Sequence, residues 1–373
     1  MKSVLINILF IISLLFNSLN CSFQVSIFNE MNKSKRGKNL IETQKEMIQA
    51  LQGIDIEKLN NLNYEILEIF KKFKTVEIAN SVMSRFIPRK EFTEIAKKYC
   101  APQEQLISLE QVNNWCSEKT YGKITKILDQ LDDNVRMILL NAVYFKWDWR
   151  NKFRESLTQK KIFYNLGTEG RKVDTMGKLD HFYYYGDNKV QAIQLPYIQD
   201  GMEALIILPR ENVDINKYIS SLNSNENSLS ELISKLKYAK VDLDLPKFKL
   251  EFSTSLKETL KDMGMTTAFT NNADLTGLRE KRDLKIDDVI HKTFLKVNEN
   301  GTEAAAVTEF KIAYGSSGRQ VQEIIYHMEV NRPFLFMLRS SKLPSSYDML
   351  FCQKLNQLNK YYFKNLKEKI LLY

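Results

Sequence analysis

Histidine and cysteine, the side chains that most often catalyse reactions or bind transition metals, are scarce in this chain of 373 residues. The sequence has three histidines and four cysteines, which are His181, His291, His327, Cys21, Cys100, Cys116 and Cys352. No cysteine pair has CxxC spacing, which argues against a structural zinc site, and four cysteines are too few for a disulfide scaffold. GxSxG, HExxH and P-loop motifs do not occur. We therefore expect neither an enzyme nor a bound metal or cofactor.

A segment with different chemistry begins at Gly301. Successive side chains of a strand point to opposite faces, so this segment would present two distinct faces as a strand. One face is small throughout, comprising Thr302, Ala304, Ala306 and Thr308. The other carries both carboxylates, comprising Glu303, Ala305, Val307 and Glu309. The small face fits against a core in the middle of a sheet. Alanine is also the best helix former, so the segment tolerates two states, as a conformational switch requires.

The composition is that of a globular protein, with 44% hydrophobic and 27% charged residues and only 13 glycines and 7 prolines. These proportions exclude collagen-like, Pro/Gly-rich and wholly disordered chains. The net charge of +9 is mild for this length. It is compatible with an acidic partner such as a sulfated glycan but does not require one, and we expect no nucleic acid partner.

The first 21 residues have the pattern of a signal peptide. Lys2 precedes the apolar run Val4–Phe16, and small and polar residues follow up to Cys21. The run is too short to span a membrane comfortably. We therefore expect secretion to the extracellular space, which would make Asn32 a glycosylation acceptor. The alternative is that this run forms a first helix buried in the core.

The remaining chain changes from helical to strand patterns near residue 130. Apolar residues at helical spacing predict helices over Asn39–Leu51, Asn63–Lys74 and Asn113–Thr120. A later helix is predicted over Ser253–Met263, ended by Gly264. Strands are predicted over Met137–Phe145, Lys189–Leu195, Met202–Leu208, Val241–Leu250, Thr293–Asn298, Ile324–Val330 and Pro333–Arg339. Helices first and strands later indicate an α+β fold.

Several segments, collinear along the chain, resemble the serpin (serine protease inhibitor) family. They are Leu140–Lys146 with Trp149 and Phe153, Leu195–Tyr197 with Leu205–Pro209, Leu245–Phe248 with Met263–Met265 and Ala273–Gly277, His291–Phe294 leading into Val297–Ala306, and Asn331–Phe336. The likeness covers most of the chain after about Lys35. Each piece alone is weak, but the shared order is specific.

The resemblance implies an α+β serpin fold with helices packed on a large central mixed sheet, two further sheets and an exposed reactive-centre loop. The serpin domain would span residues 22–358, with an atypical N-terminal part. The loop, its hinge and the following strand would span 299–330, and 359–373 would be a C-terminal extension. It also implies a monomeric suicide substrate with a metastable fold, whose partner is a serine protease. The protease attacks the loop, and the hinge inserts into the sheet while the acyl-enzyme persists.

The same resemblance assigns roles to residues around the hinge. Glu299 would pair with Lys247 at the top of the sheet. Asn141 and His291 would link strands where the sheet must part, and Trp149 would lie near the insertion point. The hinge itself would comprise Glu299, Gly301, Thr302, Glu303, Ala304, Ala305, Ala306 and Thr308.

Two bonds are candidates for attack by the protease. Family spacing from Gly301 places the reactive bond at Gly315–Ser316, which suits chymotrypsin- or elastase-like enzymes. The span up to Pro333 is longer than usual for the family, and Arg319–Gln320 is the alternative. Arg319 would fill the acidic pocket of a trypsin-like protease.

Three departures leave a non-inhibitory serpin-fold carrier, chaperone or binding protein as the alternative function. Ser22–Ile27 is a poor copy of the family's N-terminal helix start, Met349–Gln353 lacks the usual glycine, and Asn300 begins a glycosylation motif inside the hinge. A glycosaminoglycan is a further candidate partner. The basic residues for it are Lys71, Lys72, Lys74, Arg85, Arg89 and Lys90.

Overall fold

A computed structural model of the chain describes residues 42–43, 45–46, 76–98, 101–145, 147–165, 170–223, 228–281, 283–302, 323–342 and 349–355. These residues belong to two compact units. Among the described residues, those within Lys146–Lys249 and from Lys296 onward form one unit, which we call the hinge unit. Those before Lys146 and those within Leu250–Leu295 form the other, which we call the seam unit after the boundary between two of its strands. In the described part of the chain, no helix combines the length and apolar character needed to cross a membrane.

The seam unit is organised around strand β3 (Met137–Phe145). Strand β1 (Val76–Ser84) pairs antiparallel with β3, and β2 (Gln103–Gln105) pairs parallel with β1. On its other side β3 pairs in parallel with β11 (Asp288–Asn298), which continues into the hinge unit. The run from Met137 to Leu140 is almost completely buried, as its unbroken apolar sequence predicts for a strand covered on both faces.

Helices cover one face of this sheet. Helix α1 spans Lys90–Lys98 and α2 spans Leu109–Lys119. The Ser108 hydroxyl caps α2 by accepting a hydrogen bond from Gln111 N at 3.1 Å. The buried face of α2 packs in one cluster with residues of β3 and β11, comprising Val112, Trp115, Cys116, Ile138, Leu140, Ala142, Ile290 and Phe294. The same cluster contains Met83 of β1, so the helix packs on the face formed by β1, β3 and β11.

The hinge unit contains a second sheet, whose strands are β5 (Gln159–Tyr164), β6 (Gly170–Gly186), β7 (Val190–Pro196), β8 (Met202–Pro209), β9 (Lys237–Pro246), β13 (Ile325–Glu329), β14 (Phe334–Ser340) and β15 (Met349–Leu355). They lie in the order β13-β9-β6-β7-β8-β14-β15, with β5 paired to β6. The 17-residue strand β6 pairs with β9 from Thr175 to Tyr184 and with β7 from Tyr183 to Gly186. The two further sheets expected from the resemblance are thus joined through β6.

Short helices cover part of this sheet, and two very short strands complete the unit. Helices α3 (Ile215–Asn223) and α4 (Ser228–Ser234) pack on β7, β8 and β14. Strand β4 (Trp147–Asp148) follows β3 after one residue. Strand β12 (Gly301–Thr302) follows β11 after a two-residue turn and pairs with both β11 and β4.

Most strand predictions are confirmed to within a few residues at each end, and Met137–Phe145 agrees at both ends. Three element predictions were wrong. The predominantly helical pattern before residue 130 missed β1, and Val241–Leu250 is two strands, β9 and β10 (Phe248–Ser255), interrupted at Lys247. The predicted helix over Ser253–Met263 begins as strand, and only Lys257–Asp262 forms helix α5.

Other predictions of local structure can be placed as follows. Gly264 follows α5 with a φ of +99°, as expected for a helix-ending glycine. The predicted helix over Asn63–Lys74 lies outside the described residues. Most of the predicted helix over Asn39–Leu51 does too, but four of its residues are described and are helical, which are Glu42, Thr43, Lys45 and Glu46.

Candidate functional site

The hinge begins with a tight turn between β11 and β12. The Asn298 Oδ1 atom accepts hydrogen bonds from the backbone N–H of Asn300 at 3.0 Å and of Gly301 at 3.3 Å. Gly301 has a φ of +152°, which favours glycine. A Cβ here would overlap the carbonyl oxygen of Trp147 and lie 2.7 Å from Asp148 Cα. Both backbone conformation and space therefore require glycine at position 301.

Thr302 is fully buried and is held on three sides. Its backbone pairs with Val297 of β11 on one side and with Trp147 of β4 on the other. Its hydroxyl oxygen lies 2.7 Å from the Tyr197 hydroxyl. Burial raises the pKa of the Tyr197 phenol, so this group stays protonated and can donate to Thr302. The first residue of the small alternating set thus already faces a core.

Three aromatic side chains pack against one another at the hinge, and one of them, Tyr197, contacts Thr302. Trp149 and Tyr197 are stacked with ring centroids 4.4 Å apart, and Trp147 meets Tyr197 edge-on at 5.1 Å. All three are buried. The Trp149 indole donates a hydrogen bond to Asn298 O at 3.0 Å, and its backbone N–H donates to Asn300 O at 2.9 Å. Trp149 therefore fixes the turn as well as filling space.

Glu299, at the tip of the turn, is buried and hydrogen-bonded to two other side chains. Its Oε1 atom accepts from Lys247 Nζ at 2.9 Å and from the Thr158 hydroxyl at 2.7 Å. Burial alone would raise the pKa of Glu299. The bonds from Thr158, its own backbone N–H and Lys247 outweigh that effect and hold the pKa below its usual range. Glu299 is therefore a carboxylate at neutral pH and anchors the turn to Lys247, in the link between β9 and β10.

In the seam unit, β3 and β11 are direct neighbours. Their parallel ladder joins Ile138–Tyr144 to Asp288–Phe294 without interruption. We call this boundary the seam. A strand inserted here would break one ladder and form two.

A chain of polar side chains crosses the seam. Asn141 lies opposite Asn80 on β1 and opposite His291 on β11. Asn141 Nδ2 donates to Asn80 Oδ1 at 2.9 Å, and its Oδ1 lies 2.7 Å from His291 Nδ1. This network assigns the proton to Nδ1 of His291 and leaves Nε2 to accept from the Thr293 hydroxyl at 2.9 Å. Burial lowers the pKa of His291 to about 4, so the ring is neutral.

The predicted site residues fall into three groups. Glu299, Lys247, Gly301, Thr302 and Trp149 are brought together in the hinge unit, and Asn141 and His291 in the seam unit. The remaining predicted residues, whose roles stay predictions, lie outside the described residues: Glu303, Ala304, Ala305, Ala306, Thr308, Gly315, Ser316, Arg319 and Gln320.

Sequence reasoning missed three side chains that complete these arrangements. Thr158 and Tyr197 contact the hinge, and Asn80 extends the polar chain across β1. Tyr197 was visible in the segment Leu195–Tyr197 but without a role, and nothing near Thr158 in the sequence marks it as a partner of Glu299. Asn80 carries the clearest signal, a polar residue within a strand, but that strand was itself not predicted.

A family model described as Serpin (serine protease inhibitor) matches residues 41–356. The chain belongs to the serpin family, and its fold is the serpin fold.

Individual relatives support this assignment. Iripin-5 of Ixodes ricinus is 37% identical over 254 residues, which cover 67% of this chain and 62% of the relative. Intracellular coagulation inhibitor 2 of Tachypleus tridentatus is 37% identical over 232 residues, covering 61% of this chain and 55% of the relative. These alignments therefore span less than two thirds of either relative. The crystal structure of the thermophilic serpin tengpin in its native state superposes with a TM-score of 0.77 at 29% identity, covering 96% of this chain and 95% of tengpin.

Proposed function

We propose that this serpin inhibits a serine protease by trapping the acyl-enzyme and inserting its reactive loop. The observation that carries the proposal is the position of Gly301 and Thr302, which pair on both sides as a short strand and bury the first small side chain of the hinge. The next small residues of the alternation, Ala304 and Ala306, would continue along the same face. One relative, intracellular coagulation inhibitor 2, is named as an inhibitor, which supports the same activity here.

The connectivity of the strands supports insertion. Strand β12 turns back antiparallel to β11, and β4 continues the chain direction of β3 after one residue. Continuing β12 by further residues would drive the hinge between β11 and β3, where the seam joins them directly. The new strand would replace one parallel ladder with two antiparallel ladders. A gain of about ten hydrogen bonds at about 1 kcal/mol each gives on the order of 10 kcal/mol, comparable to the whole stability of a domain.

The trapping step begins as ordinary acyl transfer and stops at the acyl-enzyme. The protease serine oxygen attacks the carbonyl carbon of Gly315, or of Arg319 in the alternative. The bond to the following nitrogen breaks, and that nitrogen leaves as an amine after taking the serine proton through the protease base. Water would normally cleave the resulting ester. Insertion of the hinge pulls the acylated protease away from its bound geometry before this hydrolysis occurs.

The choice between the two bonds determines the target. Cleavage at Gly315–Ser316 implies a chymotrypsin- or elastase-like enzyme. Cleavage at Arg319–Gln320 implies a trypsin-like enzyme, because a guanidinium forms a bidentate pair with the carboxylate of such a pocket. We place the cut at Gly315–Ser316 from the spacing to Gly301.

Incubation with trypsin, chymotrypsin and elastase tests both the mechanism and the bond. Inhibition predicts a covalent complex that survives boiling in SDS, and mass spectrometry of the released C-terminal peptide identifies the bond. Separately, nicking the loop with a non-target protease should raise the melting temperature, since the freed hinge can insert. A loop that is cut without complex formation and without a gain in heat stability would instead support the carrier, chaperone or binding-protein alternative.

We also propose that the protein is secreted after removal of Met1–Cys21. The support is the basic start and short apolar run of that segment. Expression in a eukaryotic host followed by N-terminal sequencing of the medium tests this. A mature chain beginning at Ser22 is the expected result, whereas an intact N-terminus retained in cells would favour the buried-helix alternative.

Glycosaminoglycan binding is a weaker proposal for the basic residues before position 91. Lys71, Lys72 and Lys74 lie outside the described residues. The described basic residues each face a carboxylate, in the pairs Arg85–Asp133 (3.9 Å), Arg89–Glu280 (2.9 Å) and Lys90–Glu94 (3.9 Å). Retention on a heparin column at rising salt tests this proposal, and elution at the salt expected for net charge alone would reject it.

A further inference from the structure

An aromatic surface lies on the strands next to the C-terminal end of the reactive loop. In β6 and β9, Tyr183 is directly opposite Tyr238 and His181 is directly opposite Lys240. In β13 and β9, Ile325 is level with Lys240. Residues level with each other in a sheet point to the same side. We call Tyr183, Tyr238, His181, Lys240 and Ile325 the outer face.

The outer face is open, and most of the opposite face of the same strands is buried. Tyr183 is 50% exposed and Tyr238 is 67% exposed. Five side chains that point the other way are buried, which are Phe182, Tyr184, Val241, Leu243 and Met328, whereas Tyr326 on the edge strand β13 is 41% exposed. Exposed aromatic side chains grouped on one face are typical of interaction surfaces, which are rich in tyrosine.

The outer face is ordered by its own contacts. The rings of Tyr183 and Tyr238 meet edge-on with centroids 5.6 Å apart, and His181 stacks on Tyr238 at 5.4 Å. Both tyrosines stand on strands joined by an uninterrupted antiparallel ladder from Thr175 to Tyr184. Rigid aromatic anchors lose little conformational freedom on binding, so the face is suited to a protein partner.

Glu323 ties the end of the reactive loop to this face. Its Oε1 atom lies 2.6 Å from His181 Nε2, and its Oε2 atom lies 3.3 Å from Lys240 Nζ. The hydrogen bond from His181 is the main reason that the pKa of Glu323 lies below its usual range. Glu323 and Lys240 carry opposite charges, so this pair adds no net charge beside the two tyrosines.

We propose that the outer face is a docking surface for the protease that attacks the loop, and this inference rests on the proposed inhibitory function. Glu323 is eight residues beyond Gly315 and four beyond Arg319. The loop therefore carries the reactive bond at most about 28 Å, or about 14 Å, from the face. A protease domain of about 250 residues is about 45 Å across, from a radius of gyration of about 18 Å. A protease bound at either bond is thus wide enough to reach the face.

The test compares a double variant, Tyr183→Ala with Tyr238→Ala, against a matched control. Tyr121→Ala is the control because Tyr121 is 65% exposed but belongs to the seam unit. For the protease of the trypsin, chymotrypsin and elastase panel that the wild type inhibits fastest, the second-order rate constant of inhibition should fall about tenfold in the double variant. The control should match the wild type. The stoichiometry of inhibition should stay unchanged in both variants.

The possible failures are distinguishable. If the wild type forms no covalent complex with any protease of the panel, the proposed function fails and the inference falls with it. If the wild type forms the complex and the double variant inhibits at the same rate, the docking surface is wrong and the function stands. Concentration-dependent dimers of the wild type that disappear in the double variant would assign the face to a second copy of the chain and would also overturn the proposal.

Discussion

Asn141 and His291 lie directly opposite each other across the seam, with Asn141 Oδ1 2.7 Å from His291 Nδ1. The strands they join are the two that would separate under the proposed insertion of the hinge. Nδ1 donates to Asn141, and because the ring is neutral its Nε2 atom can accept from the Thr293 hydroxyl. A buried histidine ring therefore lies where its protonation would act on the proposed opening of the sheet.

Acid should destabilise the native fold through His291. The folded state lowers the pKa of this ring to about 4, against 6.5 for the unfolded state. Between these values the unfolded chain binds the proton and the folded chain resists it, so stability is complete above pH 6.5 and falls as the pH drops towards 4. The loss is on the order of 3 kcal/mol at pH 4, at about 1.4 kcal/mol per pH unit. Urea unfolding at several pH values measures it.

The variant His291→Gln isolates this contribution, because an amide can bond to Asn141 and does not titrate. It should be less stable than the wild type at pH 7 but should lose less stability between pH 6.5 and 4. His327→Gln, which changes a histidine exposed on β13, is the control and should retain the wild-type slope. Equal slopes for wild type and His291→Gln would show that another group controls the acid response.

Replacing Gly301 with alanine should displace the hinge from its position between β11 and β4. A methyl group there would overlap the Trp147 carbonyl, and the backbone φ of +152° is strained for any residue except glycine. We expect the free energy of unfolding to fall by at least about 2 kcal/mol, because the overlap with the Trp147 carbonyl adds to the cost of backbone strain. The measurement is chemical unfolding together with the stoichiometry of inhibition, which should rise as more molecules are cleaved as substrate.

Gly122→Ala is the matched control for this substitution. Gly122 also has a positive φ, +72°, but a Cβ there meets nothing within 4 Å. It should cost about 1 kcal/mol from backbone strain and leave the stoichiometry of inhibition unchanged. If both alanine variants lose the same stability and inhibit equally well, the close approach to Trp147 has no importance for the hinge.

Removing the Glu299 carboxylate should free the tip of the hinge turn. Glu299→Ala deletes the bonds from Thr158 and Lys247 and leaves the partly buried hydroxyl of Thr158 without this acceptor. Hydrogen bonds to a charged group are worth about 1.5–3 kcal/mol, and Lys247 is partly exposed, so we expect a loss of about 2 kcal/mol. Thermal unfolding measures the loss.

The acid dependence of the pair follows from the lowered pKa of Glu299. A carboxylate with a depressed folded pKa contributes its stability above the unfolded value of 4.5 and loses it as the pH falls through the lower folded value. This window lies below that of His291, so Glu299→Ala should leave the change in stability between pH 6.5 and 4.5 almost as in the wild type. Flattening of that upper range in Glu299→Ala would mean that the two sites are coupled.

The local patterns of the sequence determine much of the fold and less of the site. Met137–Phe145 was predictable because a strand buried on both faces needs an unbroken apolar run. Strand β1 was not, because Asn80 and Ser81 interrupt its apolar pattern, and the reason for Asn80 is a partner 61 residues away, Asn141. Likewise Glu299 and Lys247 were paired through family resemblance, whereas Thr158 is 141 residues from Glu299 and has no pattern that announces the contact. The role of a side chain that contacts a residue far away in the sequence can be recognised only from the structure.

If the proposed inhibition is right, replacing Thr302 with arginine should convert the protein from an inhibitor into a substrate. Thr302 is fully buried between β11 and β4, with its hydroxyl 2.7 Å from that of Tyr197, and the surrounding wall consists of buried aromatic side chains. A guanidinium cannot enter this space without losing its hydration, so the hinge would be expelled and later insertion slowed. The protease would then hydrolyse its ester before the hinge inserts. We expect the cleaved chain to accumulate with almost no SDS-stable complex. Thr302→Val has nearly the same volume and lacks only the hydroxyl, so it should retain most of the complex. An arginine variant that traps protease as well as the valine variant does would show that Thr302 need not be buried for inhibition.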